Sequence, residues 1–259
     1  MGRAGRKAVR LAASADDLFD LAPLERAPVA GSGAGKAGEQ PGGAHAEKAP
    51  SERRRRFGQF FTPMKVARAM AEWVMERNPA TLLDPALGMG VFVRAALERS
   101  QAVRITAYEK DPQILRAYLR THPPLSNVDV LLADFLLDET VSEFDAVLMN
   151  PPYLRHHDIN YDFDIFARVA RTAGVEISRL SNAYLLFTIK AVLSLAPGGR
   201  AAIIIPAEWM NANFGKAMKT FLLKRALLRE IFYFSGCSEV FEDALTTASV
   251  LLIERGAMR

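Results

Sequence analysis

The chain has 259 residues, half of them hydrophobic, which suits one large α/β domain and is short for two. Its formal net charge is +4, and the excess is uneven: residues 1 to 56 carry 11 Lys and Arg against 7 Asp and Glu, whereas residues 57 to 259 carry 22 against 22. One cysteine, four histidines without metal-binding spacing, and no long apolar run or signal peptide exclude a disulfide scaffold and indicate no metal site. We therefore expect an intracellular protein of the prokaryotic cytoplasm, with no membrane partner.

The first 52 residues are predicted to be a disordered basic tail, and residues 53–259 a single catalytic domain. Residues 22–50 are dominated by Ala, Gly, Pro, Glu and Lys, which offer too little apolar surface to offset the entropy of ordering. The four arginines of residues 53–56 are compatible with a phosphate contact beside the active site or with a solvated linker.

From residue 56 onward, short β-rich runs alternate with helical patterns, which is typical of a mainly parallel sheet covered on both faces. Strands are predicted near residues 81–84, 104–109, 128–132, 146–149, 201–206, 230–234 and 248–253. Helices are predicted near residues 64–77, 91–99, 113–120, 182–195 and 213–225. The fold class is therefore α/β, doubly wound and Rossmann-like, with seven strands.

Ligands of such sheets bind at the carboxyl ends of the strands. The first predicted strand ends at Asp84 and runs into a turn with Gly88 and Gly90, where the backbone can approach a ligand and Asp84 can bind an ammonium group. The second strand ends at Glu109, the place from which a carboxylate binds ribose hydroxyls. A nicotinamide dinucleotide is disfavoured because the third glycine of its fingerprint is absent.

The third strand is followed by Asp134 and Phe135. The Asp134 carboxylate offers an acceptor for an exocyclic amine, and the Phe135 ring offers a face for a purine. The alternative interpretation of Asp134 is a helix cap.

The tetrapeptide Asn150, Pro151, Pro152, Tyr153 (NPPY) follows an apolar run and is predicted to end a buried strand. The amine of adenine or cytosine is a poor nucleophile because its lone pair is delocalised into the ring. Two acceptors, the Asn150 amide oxygen and the Pro151 carbonyl, would draw the amine toward tetrahedral geometry, and Tyr153 would present an aromatic face to the base. The alternative is an ordinary strand-to-loop turn.

These motifs, with the hexapeptide GQFFTP at residues 58–63 ahead of the glycine turn, resemble the gamma-class DNA (adenine-N6) methyltransferases of restriction-modification systems. The resemblance covers residues 56–253 and implies S-adenosylmethionine as cofactor. The positions that match cofactor-binding residues of the family are Thr62, Asp84, Gly88, Gly90, Glu109, Asp134 and Phe135, and those that match its catalytic tetrapeptide are Asn150, Pro151, Pro152 and Tyr153.

The resemblance further implies direct transfer of a methyl group to an adenine swung out of double-stranded DNA. Phe241 resembles the aromatic residue that packs against the extruded base, although it could equally be a core phenylalanine. Residues 154–181 are predicted to be a loop, with arginines suited to phosphate contact but not to base readout. We therefore expect a separate target-recognition or specificity subunit, or a truncated chain.

Two other functions stay open. A protein-glutamine methyltransferase would use the same tetrapeptide, because a side-chain amide poses the same chemical problem. The leading hexapeptide argues against it. A catalytically inactive subunit could keep the fold and bind only DNA or a partner.

Overall fold

A computed structural model describes residues 10–12, 62–139, 143–154, 161, 163–224, 227–235 and 247–256. The strands are β1 (Arg10–Ala12), β2 (Thr81–Asp84), β3 (Arg104–Glu109), β4 (Val128–Leu132), β5 (Phe144–Met149), β6 (Leu195–Pro206), β7 (Leu228–Ser235) and β8 (Thr247–Glu254). The α-helices are α1 (Met64–Met75), α2 (Val91–Arg99), α3 (Pro112–Thr121), α4 (Phe163–Ala173), α5 (Ala183–Leu193) and α6 (Gly215–Lys224), and a 3₁₀ helix spans Ala207–Met210.

The strands form one sheet in the order β1-β7-β8-β6-β5-β2-β3-β4. Neighbouring strands are parallel except that β8 runs antiparallel to both β6 and β7. Strand order reverses between β2 and β5, because the chain first builds β3 and β4 on one side of β2 and then β5 and β6 on the other. The predicted fold class is therefore confirmed. A doubly wound sheet binds its ligand at such a reversal, which makes the ends of β2 and β5 the place for a candidate site.

Hydrophobic layers cover both faces of the sheet. Successive strand residues point to opposite faces, so Leu82 belongs to the apolar layer that includes α1, α2 and α3, and Leu83 to the layer that includes α4, α5 and α6. Helix α5 is apolar along almost its whole length, as expected for a helix buried between the sheet and other helices. Of the helices described, none is long and apolar enough to cross a bilayer.

Two elements differ from the sequence-based prediction. Helix α4 lies inside the predicted loop 154–181, where Ile165, Phe166, Val169 and Ala173 recur at helical spacing and are buried. The short strand β1 is added beyond the seven predicted, pairing in parallel with β7. A three-residue strand carries no readable alternation, and its partner β7 offers the unpaired backbone groups of a sheet edge. Residues 13–61 lie outside the described ranges, so the boundary between residues 52 and 53 stays a prediction.

Candidate active site

The reversal of strand order brings two predicted site residues to neighbouring strand ends. Asp84 is the last residue of β2, and Asn150 follows the last residue of β5. The two strands pair directly, with Leu82 opposite Ala146 and Leu83 opposite Val147. A predicted cofactor-binding residue and a residue of the predicted catalytic tetrapeptide therefore lie side by side at the carboxyl ends of the strands.

The glycine turn after β2 is held in a left-handed conformation. Gly88 has a φ of 55° and Gly90 a φ of 74°, in a region of backbone conformation that residues other than glycine rarely adopt. The space at Gly90 is also closed, since a Cβ atom there would stand 2.3 Å from Cε2 of Tyr118 on α3. At Gly88 the nearest atom to such a Cβ is the carbonyl oxygen of Ala86, at 4.0 Å. Tyr118 thus makes position 90 of the turn specific for glycine.

Asp84 is fully buried beneath this turn. Its Oδ1 accepts a hydrogen bond from the Ala86 N–H at 3.2 Å. Within the described part of the chain, no donor reaches its Oδ2. Burial raises the pKa of Asp84 to about 7, with a smaller contribution from the negative charge of Glu109. A buried carboxylate oxygen with no partner is a ready acceptor for a cationic ligand group.

Glu109, at the end of β3, is buried and tied to the same turn. Its Oε2 accepts the Gly88 N–H at 3.0 Å, and its Oε1 accepts the Asp111 N–H at 2.8 Å. Burial raises the pKa of Glu109, while the two backbone hydrogen bonds oppose that shift. The carboxylate is therefore held rigidly, facing the backbone of the glycine turn.

Asp134 begins a turn directly after β4. Its Oδ1 accepts the Leu136 N–H at 3.0 Å and so stabilises the turn, whereas no helix follows in the described residues 135–139, and the alternative of a helix cap is wrong. Its Oδ2 accepts the Tyr161 hydroxyl at 2.7 Å and lies 2.8 Å from the Lys110 ammonium. An adenine amine would have to share Oδ2 with these two side chains or displace one of them.

Phe135, predicted as a purine-stacking face, is buried with 4% of its surface exposed. Its ring centroid lies 5.3 Å from that of Tyr108 and 5.9 Å from that of Phe187. The Lys190 ammonium lies 4.5 Å from the same centroid. The ring thus packs within the core under the turn that Asp134 begins, and its contact with a purine stays a prediction.

Asn150 is connected to the hexapeptide that precedes the glycine turn. Its Nδ2 donates a hydrogen bond to Oγ1 of Thr62 at 2.9 Å, across 88 residues of sequence. Thr62 is buried and Asn150 is half-buried, and the next residue, Pro151, is buried. With the amide nitrogen donating to Thr62, the orientation of the amide is set, and its Oδ1 is a buried atom.

Tyr153 is half-buried and held at both ends of its side chain. Its ring stands edge-on to Tyr184 with centroids 6.2 Å apart, and its hydroxyl donates to the Ile204 carbonyl at 3.4 Å. Burial raises the pKa of Tyr153, so the phenol stays neutral throughout the physiological range. The side chain can act as an aromatic surface but not as a base.

Several predicted residues lie outside the described residues. These are Phe241, Arg53 to Arg56, and residues 58–61 of the hexapeptide, of which only Thr62 and Pro63 are described.

Three neighbouring side chains were missed by the sequence analysis: Lys110, Tyr118 and Tyr161. Lys110 directly follows the strand-end residue Glu109, and this position could have indicated from the sequence that it lies near the site. Tyr118 and Tyr161 lie far in sequence from Gly90 and Asp134, which they contact, and no local pattern marks them.

The residues fit the predicted sulfonium cofactor. The unpartnered oxygen of Asp84 suits an ammonium group, Gly88 leaves open space above the turn, and Glu109 offers a fixed carboxylate. They follow the order expected for a ligand lying across the ends of β2, β3 and β4.

Comparisons with known proteins identify the family. A type II methyltransferase of Acinetobacter calcoaceticus, M.AccI, is 37% identical over 202 residues, 78% of this chain and 37% of that protein. M.XamI of Xanthomonas campestris pv. amaranthicola is 30% identical over 208 residues, 78% of this chain and 40% of that protein. The chain thus spans well under half the length of these relatives.

Solved structures share the fold at lower identity. A Listeria monocytogenes protein assigned to the class I S-adenosylmethionine-dependent methyltransferases superposes with a TM-score of 0.59 at 18% identity, covering 76% of this chain and 61% of that one. The model of the family described as Eco57I restriction-modification methylase matches residues 107–241, just over half of the chain. The expectation of a methyltransferase domain from a restriction-modification system is confirmed, and the chain belongs to the Eco57I restriction-modification methylase family.

Proposed function

We propose that this chain is the catalytic domain of an S-adenosylmethionine-dependent, site-specific DNA methyltransferase that modifies the N6 amine of adenine. The observation that carries the proposal is the hydrogen bond from Asn150 to Thr62. It joins the catalytic tetrapeptide to the motif that precedes the cofactor turn, at the point where strand order reverses.

The cofactor subsites follow the strand ends. Asp84 binds the methionine ammonium through its buried Oδ2, Glu109 binds the ribose hydroxyls, and Asp134 accepts a hydrogen bond from the adenine amine. When bound, S-adenosylmethionine supplies an electrophilic methyl group on sulfur. Gly90 lets the turn pack against Tyr118, which a side chain there would meet, and Gly88 leaves the backbone open to that ligand.

The target amine is activated by two acceptors from the tetrapeptide. Asn150 Oδ1 and the Pro151 carbonyl each accept one amine hydrogen, which directs the nitrogen lone pair toward the methyl group. Preorganised groups of this kind typically contribute about 3–4 kcal/mol to the barrier. The Thr62 Oγ1 accepts the Nδ2 hydrogen, and this bond favours the amide orientation that leaves Oδ1 for the target amine.

Tyr153 supplies the stacking surface for a base rotated out of the duplex. Its edge-on contact with Tyr184 and its bond to the Ile204 carbonyl fix the ring before the base arrives. Extrusion costs a few kcal/mol of lost stacking and pairing, and stacking on a fixed ring offsets part of that cost. Phe241, outside the described residues, is proposed to cover the other face of the base.

Double-stranded DNA is the proposed substrate, and the prokaryotic cytoplasm the proposed location. This chain spans 37% of M.AccI and 40% of M.XamI, so we propose that base-specific readout comes from a target-recognition domain or specificity subunit beyond these 259 residues. Residues 53–259 are proposed as the catalytic domain and residues 1–52 as its basic tail, of which residues 10–12 add strand β1 to the sheet.

The test is methyl transfer from labelled S-adenosylmethionine to mixed-sequence DNA by the chain together with its recognition partner. Digestion of the product to nucleosides identifies the methylated atom. N6-methyl-2′-deoxyadenosine is the expected product. Label in N4-methylcytosine would refute the adenine specificity, and label confined to protein would refute DNA as the substrate.

A further inference from the structure

The turn that carries Asp134 lies at an open edge of the sheet. Strand β4 pairs with β3 and is the last strand in the order, so the ladder supports the turn from one side only. The last ladder bond before the turn is from the Ala133 N–H to the Glu109 carbonyl, at 3.1 Å. Beyond it the chain folds back on itself, with the Leu137 and Asp138 N–H groups donating to the Asp134 carbonyl. Contacts from other elements must therefore set the position of residues 134–139.

Lys190 of α5 makes the most central of these contacts. Its ammonium donates to the main-chain carbonyls of both Phe135 and Asp138, which lie on either side of the turn. It also lies 4.5 Å from the centroid of the Phe135 ring. One side chain from the buried helix thus joins the two ends of the segment that begins at Asp134.

The environment of Lys190 argues against an incidental role. It is the one charged residue of α5, and residues 183–189, 191 and 192 of that helix are buried. Placing an ammonium among apolar side chains is unfavourable unless its hydrogen bonds are satisfied. Burial accordingly lowers the pKa of Lys190 to about 8, against the opposing charge of Asp138. An apolar residue would pack here at lower cost but could not hold two carbonyls.

Two further side chains hold the same turn from other elements. The Tyr108 hydroxyl of β3 donates to Asp138 Oδ2 at 2.7 Å. Arg168 of α4 donates to the Leu136 carbonyl at 3.1 Å. Lys190 differs from both because it binds the backbone on the two sides of the turn at once.

We propose that Lys190 is a positioning residue that holds residues 134–139 so that the Asp134 carboxylate faces the adenine end of the cofactor. This inference rests on the proposed function, because it assumes that Asp134 accepts the adenine amine. Lys190 itself touches neither the cofactor nor the substrate. Its removal should therefore impair recognition of the adenine amine and leave the other subsites intact.

The experiment measures the preference for that amine directly. The probes are 5′-methylthioadenosine and its purine riboside analogue without the exocyclic amine, which both lack the methionine ammonium and so avoid Asp84. Calorimetric titration of the full chain gives the ratio of the two dissociation constants. We expect the wild type to prefer the adenine probe by about 10-fold or more, as for a hydrogen bond to a charged group. Asp134→Asn should reduce that ratio.

Lys190→Met should weaken binding of the adenine probe and bring the ratio of dissociation constants below about 3. Its affinity for the amine-free probe should stay within about 2-fold of the wild-type value, because only the bond to a charged group is lost. Lys219→Met is the matched control, since Lys219 also donates to a main-chain carbonyl, that of Met210, away from the turn. It should leave the ratio unchanged. If Lys190→Met does not fold, Lys190→Gln, which keeps a donor, should give an intermediate ratio.

A wild-type preference that persists at full strength in folded Lys190→Met or Lys190→Gln would overturn the positioning role alone. Equal weakening of both probes would also overturn it, because that is the result of general damage to the fold. A wild type without preference for the amine would overturn the assignment of Asp134, and with it this inference.

Discussion

The Asn150 amide nitrogen donates to the Thr62 hydroxyl at 2.9 Å, although 88 residues separate the two in sequence. Thr62 was predicted to hold the cofactor and Asn150 to act on the substrate, so this one bond connects two parts of the proposed site. Because an amide presents a donor at one end and an acceptor at the other, fixing the nitrogen also fixes the direction of the oxygen.

Thr62→Val should therefore lower kcat, because it removes the acceptor and lets the Asn150 amide rotate. A net hydrogen bond of about 1 kcal/mol corresponds to roughly a 5-fold loss, and misorientation of the amide adds to it. Thr62→Ser keeps the hydroxyl and should retain most of kcat. Steady-state kinetics on DNA compares the two variants, and equal rates for Val and Ser would contradict the role given to this bond.

Asp84 should make cofactor affinity depend on pH. Its pKa near 7 means that much of the carboxyl is protonated at pH 6, and a protonated acid binds an ammonium group poorly. The affinity for S-adenosylmethionine should rise from pH 6 toward pH 7.5, whereas Asp84→Asn should bind more weakly and show a flatter profile. Calorimetry across this range provides the measurement. A steep profile retained in Asp84→Asn would assign the titration to another group.

The same shift predicts how Asp84 affects stability. A carboxyl whose pKa is raised on folding binds more protons in the folded than in the unfolded state between about pH 4 and 7. Stability is therefore lost as pH rises through that window, and the charged carboxylate destabilises the protein without ligand at pH 7.5. Asp84→Asn should raise the Tm by a few degrees at that pH, since about 1 kcal/mol shifts a domain of this size by about 2–4 °C. At pH 4 the difference should disappear, as differential scanning calorimetry can check.

The two glycines of the turn should respond differently to alanine. Gly88→Ala carries only the cost of a left-handed backbone, about 1–2 kcal/mol. Gly90→Ala carries that cost and also a clash with Tyr118, for which overpacking typically adds about 1–3 kcal/mol. Urea unfolding should rank Gly90→Ala as the less stable. In a Tyr118→Ala background the loss caused by Gly90→Ala should shrink toward that of Gly88→Ala.

Lys110 should oppose cofactor binding modestly, because its ammonium occupies Asp134 Oδ2. Its side chain is 60% exposed, and an exposed ion pair is worth about 0–1 kcal/mol. Lys110→Met should therefore tighten S-adenosylmethionine binding by up to about 5-fold. Lys216 is exposed, and Lys216→Met provides a control that should leave S-adenosylmethionine affinity unchanged. Weaker binding in Lys110→Met would show that Lys110 supports the ligand.

Lys110 also lines an open cavity of about 310 Å³ with Glu139, Asp164 and Arg168. Asp164 offers its ammonium an alternative carboxylate once Asp134 is engaged by a ligand, whereas Glu139 already pairs with Arg168. Displacing the Lys110 ammonium from Asp134 should therefore cost little binding free energy.

The strand-end residues could be predicted from sequence because a parallel sheet brings the carboxyl ends of its strands together. Asp84, Glu109 and Asn150 each follow a short apolar run that is recognisable by itself, and the structure gathers those ends as expected. Thr62 could be assigned only from the motif that contains it, since nothing in its own sequence neighbourhood shows that it lies beside Asn150.

The contacts that could not be predicted depend on side-chain direction across elements. Lys190 reads as one polar position on an apolar helix, and its two carbonyl partners follow from the packing of α5 against the turn after β4. Helix α4 was missed because arginines among its apolar residues suggested a phosphate-binding loop, although the buried positions keep a helical period. In both cases the local pattern was present, but its meaning depended on the neighbouring element.

The most direct test of the central claim compares Asn150→Ala with the wild type in both cofactor binding and methyl transfer. If Asn150 acts on the target amine and not on the cofactor, S-adenosylmethionine affinity should stay within about 3-fold, while single-turnover formation of N6-methyladenine falls by about 100-fold or more, as for removal of a preorganised polar group. An Asn150→Ala protein that binds the cofactor and still methylates adenine at a near wild-type rate would contradict the account.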